Sequence, residues 1–380
     1  MHLKPVFQLI EKCKHIADLP WDGSPEDLAR RMTELRNHPD FVISEWGKST
    51  EGRPLYRLEW GRGPTVVALW AQVHGNEGLS AGALGDLILE LAKGEHPPKW
   101  PQALSLKIYP QLNPDGAARR RRLNAQGLDL NRDIKARQSP EMAHFWPEIM
   151  AQNIDWAFNL HDQRSLFSVG SPPQPAVLSF LSPSVDAQRQ LSPTRIKTMN
   201  LIGQTIEALR KSHPQEAYGR YSDEFYPLAL GDNLQGLAIP CVLLEVGQGC
   251  AELGRLRARE FLSEALERIA QNIDATPGQA IDSYLSIPEN QKHLRDRIYR
   301  QVQIGESPHR TDLGLQRQWN GSRWAWRETD RGDLSHLSGY AEWEGGFFTE
   351  AQNYWGERWA DFIWQGAELH QYQNGIWQKR

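Results

Sequence analysis

Two apolar spacings alternate along this chain. "TVVALWAQV" (65–73) is a continuous apolar run, the pattern of a strand buried on both faces. "LSLKIYPQL" (104–112), "IDWAFNL" (154–160) and "IPCVLLEV" (239–246) resemble it. Between these runs lie segments whose apolar residues recur three and four apart, the spacing of one helix face. "EGLSAGALGDLILELAKG" and "AELGRLRAREFLSEALERIAQNI" keep it longest. "SPEDLARRMTELRNH", "SPEMAHFWPEIM" and "SPTRIKTMNLIGQTIEALRKSH" each open on Ser-Pro, a serine cap followed by a proline suited to the first helical turn. "FVISEWG" and "LYRLEWG" flank the turn-rich "KSTEGRP" and predict a hairpin. The alternation predicts an α/β fold, a mixed, mostly parallel twisted sheet with helices on both faces.

The texture changes near residue 280. "TPGQAIDSYLSIPENQ" reads as a linker or edge, and two Asn-Gly hairpin signals follow in "LGLQRQWNGSRWAW" and "ELHQYQNGIWQKR". Eight of the 15 tryptophans lie in the last 62 residues, so the tail is expected to be a small β-rich module. The predicted division is an α/β domain over 1–283 and a Trp-rich β module over 284–380.

Composition narrows the class without changing the fold. At 39% hydrophobic and 24% charged residues, with mean hydropathy −0.60, the chain is that of a soluble globular protein. A net charge of −4 offers no overall field for nucleic acid or an anionic membrane, so neither is an expected partner. No apolar run approaches the roughly 18 residues of a membrane helix. Lys and Glu interrupt the opening "MHLKPVFQLIEKCKHIADLPW", which reads as an amphipathic surface helix. Three cysteines make no disulfide framework, so reduced thiols and a cytoplasmic location are expected.

Chemistry gathers where the strand runs stop. "AQVHGNEGLSAG" places His74 and Glu77 three apart at the end of a buried strand, with Gly75-Asn76 as the turn. A metal site and a plain helix cap both fit that stretch. The same His-x-x-Glu spacing recurs at His213 and Glu216, after a helix and with no strand before it, and reads as a solvated helix end. Three more strand ends favour a site. "IDWAFNLHD" ends on His161 and Asp162, and "IPCVLLEVGQG" carries Glu245 before glycines, an acid that needs a partner to stay there. "LSLKIYPQLNPDG" ends in a strong turn, followed by "RRRRLNAQGLDLNRD" with Arg122, Asn124, Asp129, Asn131 and Arg132. Open α/β sheets build their sites at such strand ends.

The set His74-x-x-Glu77, "NPDG…RLNAQGLDLNRD", "NLHD" and "LLEVG", in that order over roughly residues 40–275, resembles the zinc carboxypeptidase family. The resemblance implies one Zn2+ per chain, held by His74, Glu77 and His161. It implies Glu245 as general base and Arg122 as the group that polarises the scissile carbonyl. Asn131 and Arg132 match the pair that grips the substrate's terminal carboxylate, and Asp129 the acid that orients His74. The family also supplies a tyrosine; Tyr218, Tyr221 and Tyr226 are candidates, and Tyr221 is the one chosen.

The chemistry agrees with that pattern. Two histidines and one carboxylate leave a coordination position open, as in catalytic zinc sites. A carboxylate nearby is then needed to move a proton, and a guanidinium to meet a developing oxyanion. The expected substrate is a peptide or amide with a free carboxylate. "HGNE" and "DLNR" also resemble deacylases of N-acyl amino acids, the alternative reading, while the intact "NPDG" and "DLNRD" favour the peptidase branch. The tail's tryptophans admit three roles: contact with a glycan or peptidoglycan fragment, a lid over the cleft, or bulk for a small core.

Overall fold

The computed structural model describes residues 23–272, 279–319, 324–345, 347–348, 370–373 and 376–379. The expected amphipathic helix at the start, Cys13 and both Asn-Gly turns lie outside the described residues.

The chain begins with helix α1 (Pro25–Leu35), capped by the Ser24 side chain, and the antiparallel hairpin β1 (Phe41–Lys48) and β2 (Pro54–Trp60). β3 (Thr65–Trp70), α2 (Gly78–Lys93), the single turn α3 (Trp100–Ala103) and β4 (Leu104–Tyr109) follow. Next come α4 (Pro114–Ala118), α5 (Pro140–Met150), β5 (Trp156–Gln163), β6 (Ser168–Val169) and β7 (Gln174–Leu181). The first unit continues through α6 (Pro193–Ser212), β8 (Ala217–Arg220), α7 (Leu230–Gly236), β9 (Cys241–Gly247) and α8 (Ala251–Ala270).

These strands form one sheet in the order β1-β2-β4-β3-β5-β9-β7-β6, with β8 also on β7. The central strands β4, β3, β5 and β9 run parallel, so their C-terminal ends share one edge. β2 of the hairpin on one flank and β7 on the other run antiparallel to them. Both sheet faces are covered, which is why the central strands are apolar without alternation. On one face Val67, Leu69, Phe158, Leu160, Val242 and Leu244 pack with residues of α2, α6 and α8. On the other, Ala68, Trp70, Tyr109 and Ala157 meet Met142, Phe145 and Ile149 of α5 and Leu230 and Leu234 of α7.

The tail strands form a sheet of their own. β10 (Leu294–Ile304), β11 (Arg310–Trp319), β12 (Trp324–Gly332) and β13 (Ser338–Glu344) lie in the order β12-β11-β10-β13. A short β14 (Phe347–Phe348) pairs with β10, and β15 (His370–Gln373) pairs with β16 (Ile376–Lys379). Trp326 and Trp343 pack against Tyr299, Val302, Ile304, Leu313 and Leu315, so these two tryptophans fill a small core. Between the two sheets, α9 (Gln279–Leu285) lies against the first unit: the Tyr284 hydroxyl accepts from the Ser182 amide at 3.0 Å. Ser168 and Gln291 exchange two backbone hydrogen bonds of 2.8 Å. Tyr340 then donates to the Ser165 carbonyl at 2.8 Å and ties the second sheet to the loop after β5. Among the described residues no helix is long and apolar enough to cross a membrane.

Candidate metal centre

The centre sits at the shared C-terminal edge of β3, β4, β5 and β9. The loop leaving β3 supplies His74 and Glu77. Gly75 is required in that loop, because a Cβ there would come within 2.0 Å of the Gly116 carbonyl carbon on the first turn after β4. Asn113 holds this second loop: its side chain accepts from the Gly116 amide at 2.9 Å and donates to the Val73 carbonyl at 3.3 Å. Asp115 of the same turn is fully buried and accepts from the Ser49 hydroxyl, the Glu51 amide and Arg53, which anchors the loop of the β1–β2 hairpin.

His74, Glu77 and His161 converge. Each offers a ligand atom, and these atoms lie within 4.8 Å of one another, the one such cluster among the described residues. His74 Nδ1 is 2.8 Å from one oxygen of Glu77 and His161 Nδ1 is 2.8 Å from the other. All three side chains are buried. On its far side His74 directs Nε2 at the Asp129 carboxylate, 3.1 Å away. With a proton held on Nε2 by Asp129, the Nδ1 lone pair of His74 faces the Glu77 lone pairs. Electron pairs crowded at that distance repel unless a proton or a cation lies among them, and two imidazole nitrogens with one carboxylate suit a borderline cation such as Zn2+. The donor set therefore fits a metal. His161 differs from His74 in one respect: its Nε2 is buried without a hydrogen-bond partner.

Period-two alternation explains why His161 and Asp162 stand together. His161 lies on the face of Ala157, and Asp162 turns to the other, where α2 begins. The Asp162 carboxylate accepts from the amides of Leu79 and Ser80, each at 2.8 Å, and caps that helix. Glu77, at the cap position itself, makes no capping bond and keeps its carboxylate for the histidines. Burial, and then the charge of Glu77, push the Asp162 acid up to about 7, against the pull of its two amide bonds.

Charge balance within this cluster follows from burial and partners. Burial opposes protonation of His74, yet Glu77 and Asp129 outweigh it and raise its pKa. For His161 burial wins and the pKa is lowered. Burial disfavours the Glu77 carboxylate, but both imidazoles hold it ionised well below the usual range.

Glu245 pairs in register with His161 across β5 and β9, so both side chains stand on the same face of neighbouring strands. It is half-buried. Burial, then the carboxylates of Glu77 and Asp162, raise its pKa well above the ordinary value, opposed by Arg122. Arg122 donates to Asp129 through Nε at 3.1 Å and Nη2 at 2.9 Å, and its Nη1 lies 3.8 Å from Glu77. The phenol of Tyr221 donates to Gln163 at 3.2 Å, and its pKa is raised by burial and then by Glu245. Of the other two tyrosines, Tyr218 donates to Glu216, and Tyr226 donates to Glu224 with its ring beside Arg132.

Asn131 is buried, and its side-chain oxygen accepts from the Leu230 amide at 3.2 Å. Arg132 is exposed and donates to the Asn131 carbonyl at 2.9 Å, with its guanidinium 5.5 Å from the centre of the Tyr226 ring. It has no carboxylate partner among the described residues; Asp133 instead accepts from the amides of Gln138 and Ser139. The structure corrects one expectation. His213 and Glu216 are not a solvated helix end: His213 bonds Glu260 at 2.9 Å and Glu216 pairs with Arg257, because α8 lays those two residues across the end of α6. Sequence reasoning also missed Gln163, buried one residue past Asp162, where it accepts from both Tyr221 and Asn290. Its place at the end of "NLHDQ" was the available signal.

Residues 29–165 match the zinc carboxypeptidase family. A metallo-carboxypeptidase from Burkholderia cenocepacia is similar in structure, with a TM-score of 0.52 at 20% identity over 65% of this chain and 69% of that one. Bovine thrombin-activatable fibrinolysis inhibitor, in complex with tick carboxypeptidase inhibitor, superposes with a TM-score of 0.53 at 15% identity, over 66% of this chain and 98% of its own. Carboxypeptidase A from Helicoverpa armigera gives 0.52 at 16% identity, over 70% and 79%. At these identities the likeness is one of fold. No curated protein matches the chain in sequence. The motif set, the match over residues 29–165 and the fold together make this chain similar to the zinc carboxypeptidases, with a cluster of His74, Glu77 and His161 that could hold a metal.

Proposed function

We propose that the protein is a zinc-dependent hydrolase that cleaves a peptide or amide bond next to a free carboxylate. The observation that carries this reading is the convergence of His74 and His161 on Glu77, with Glu245 in register beside His161. His74, Glu77 and His161 would hold one zinc ion, which would supply a Lewis acid and bring the pKa of water down toward neutrality. Asp129 keeps the His74 proton on Nε2 and so leaves Nδ1 for the metal. Glu245 takes a proton from the attacking water at its carboxylate and delivers it to the leaving nitrogen. Arg122 presents its guanidinium to the carbonyl oxygen as negative charge develops there. Arg132, with no competing carboxylate, and Asn131 beside it grip the free carboxylate of the substrate. Tyr221 closes the side of the site next to Glu245.

The test is hydrolysis of C-terminally free peptides, the same peptides amidated, and N-acyl amino acids, with zinc content measured in parallel. Glu245→Gln should keep about one zinc per chain and substrate binding, yet lose turnover by orders of magnitude, since Gln preserves shape but accepts no proton. His161→Ala should lose the metal. Wild-type turnover in Glu245→Gln would assign the base elsewhere. Cleavage of N-acyl amino acids alone would make the protein a deacylase.

A further inference from the structure

A groove of about 860 Å3 separates the metal centre's rim from the second sheet. The loop after α4 forms one wall, and β11 with β12 the other. Six arginines line it: Arg120, Arg121 and Arg122 from the loop, Arg164 after β5, and Arg317 and Arg327 from the second sheet. Among the described residues one acid, Glu26, lines it with them. The chain as a whole carries a net charge of −4, so this concentration of positive charge is local and runs against the general balance. Like charges crowded along one cleft repel, and such a cleft draws a ligand of the opposite sign.

The arginines are also presented for binding. Arg122 is paired with Asp129, and Arg317 lies near Asp296. Arg120, Arg121 and Arg164 are exposed and have no carboxylate partner among the described residues. Arg120 lies over the Trp319 ring at 5.4 Å and Arg317 over the Trp324 ring at 5.2 Å. For Arg120, a guanidinium resting on an indole is held in place while its N–H edge stays available to an acceptor. The same contacts cover one face of each tryptophan, which argues against sugar stacking as their task.

The groove's position relative to the site gives it direction. Arg122, Gly75 and Asn76 line it, whereas Asn131 and Arg132 do not. With the substrate's terminal carboxylate on Arg132 and its carbonyl at Arg122, the groove receives the residues ahead of the bond that is cut. We propose that this groove binds acidic side chains upstream of the scissile bond, so that the preferred substrate is a peptide tail with several carboxylates before its C-terminus. This rests on the carboxypeptidase-like reading of the metal centre.

The experiment uses the full-length zinc-loaded protein and peptides that share one C-terminal pair but carry four Glu, four Gln or four Lys ahead of it. The Glu peptide should show kcat/KM about tenfold or more above the Gln peptide, and the Lys peptide should fall below both. The Glu preference should shrink as salt rises from about 50 to 300 mM, because exposed charges are screened over that range. Arg121→Gln with Arg164→Gln, both exposed, should bring the Glu-to-Gln ratio toward one, and so should Arg327→Gln from the second sheet. A second readout needs no turnover: fluorescence anisotropy of a labelled tetra-Glu peptide with an amidated C-terminus, challenged with an N-acetylglucosamine tetramer and a single-stranded oligonucleotide. Equal kcat/KM for Glu and Gln peptides would overturn the proposal, as would tighter binding of the oligonucleotide or the glycan. Binding of the tetra-Glu peptide that depends on Arg121 and Arg164, with no peptide hydrolysed, would support the groove and sink the reading of the metal centre.

Discussion

Arg132 sits exposed beside the buried Asn131, its guanidinium held by one backbone carbonyl and no acid. Such a group is available for a bidentate carboxylate contact, worth on the order of 1.5–3 kcal/mol when the partner is charged. Arg132→Ala should therefore raise KM for substrates with a free carboxylate by roughly ten- to a hundredfold. Arg132→Lys should recover only part of the loss, since it keeps the charge without the fork. Amidated versions of the same substrates, already poor, should change little; equal losses on both sets would put the carboxylate anchor elsewhere. A second residue makes a pH prediction. Burial pushes the carboxyl of Asp232 up to about 6, against the help of the Tyr226 amide and Arg132. A carboxyl that binds its proton more tightly when folded stabilises the fold at low pH, and that contribution is lost as pH rises through the folded value. Asp232→Asn, which keeps the acceptor oxygen, should gain on wild type between about pH 4 and 6, with a plateau on the order of 2 kcal/mol above that. Urea unfolding across that range checks it; parallel stability curves for the two proteins would refute it.

At the scale of elements, β5 divides two tasks between adjacent residues by facing them oppositely: His161 to Glu77 and His74, Asp162 to the start of α2. The helix that follows Glu77 is thus held from another strand, and this leaves the Glu77 carboxylate for the histidines. Asp162→Ala would leave two buried amides without acceptors, each costing about 1–3 kcal/mol. The expected result is a lower urea midpoint with unchanged slope and weaker zinc retention, partly restored in Asp162→Asn, which keeps one acceptor. An unchanged midpoint would mean that water replaces the carboxylate and that α2 needs no cap from β5. The hairpin loop is held in the same indirect way. Asp115, in the turn after β4, binds Ser49, Glu51 and Arg53 between β1 and β2, so this loop is shaped by a residue more than 60 positions away.

At the scale of the molecule, the first unit does not stop where helix gives way to tail. α9 and the segment to residue 291 are bonded to the first sheet through Tyr284, Pro288, Asn290 and Gln291, and the second sheet starts at Leu294. A chain ending at residue 292 should unfold cooperatively and retain zinc, whereas one ending at 283 should be less stable, because it loses those bonds and exposes the surface under Tyr284 and Ile287. Equal midpoints for the two would return the boundary to 283. The shorter chains should also lose any preference for acidic substrates contributed by Arg317 and Arg327, since both come from the second sheet.

Local pattern alone determined much of this protein. Continuous apolar runs located β3, β4, β5 and β9 because a strand covered on both faces has no polar side to show. The Ser-Pro starts located α1, α5 and α6 because capping is settled within four residues. β7 was hidden by the prolines around its start, which read locally as loop; only pairing with β9 makes it a strand. The cluster of His74, Glu77 and His161 was legible because parallel strands bring their C-terminal ends to one edge whatever their separation in sequence. Tertiary structure decided what depends on distance in space. It placed Tyr221 on Gln163 and Tyr226 beside Arg132, assigned Asp162 to a helix begun 84 residues earlier, and joined His213 and Glu216 through Glu260 and Arg257 of α8. It also gathered six arginines from loops and strands of two sheets into one groove. The run Arg119–Arg122 marks half of that set along the chain, but charge has no sequence period, so nothing there marks Arg164, Arg317 and Arg327 as the residues that would face it.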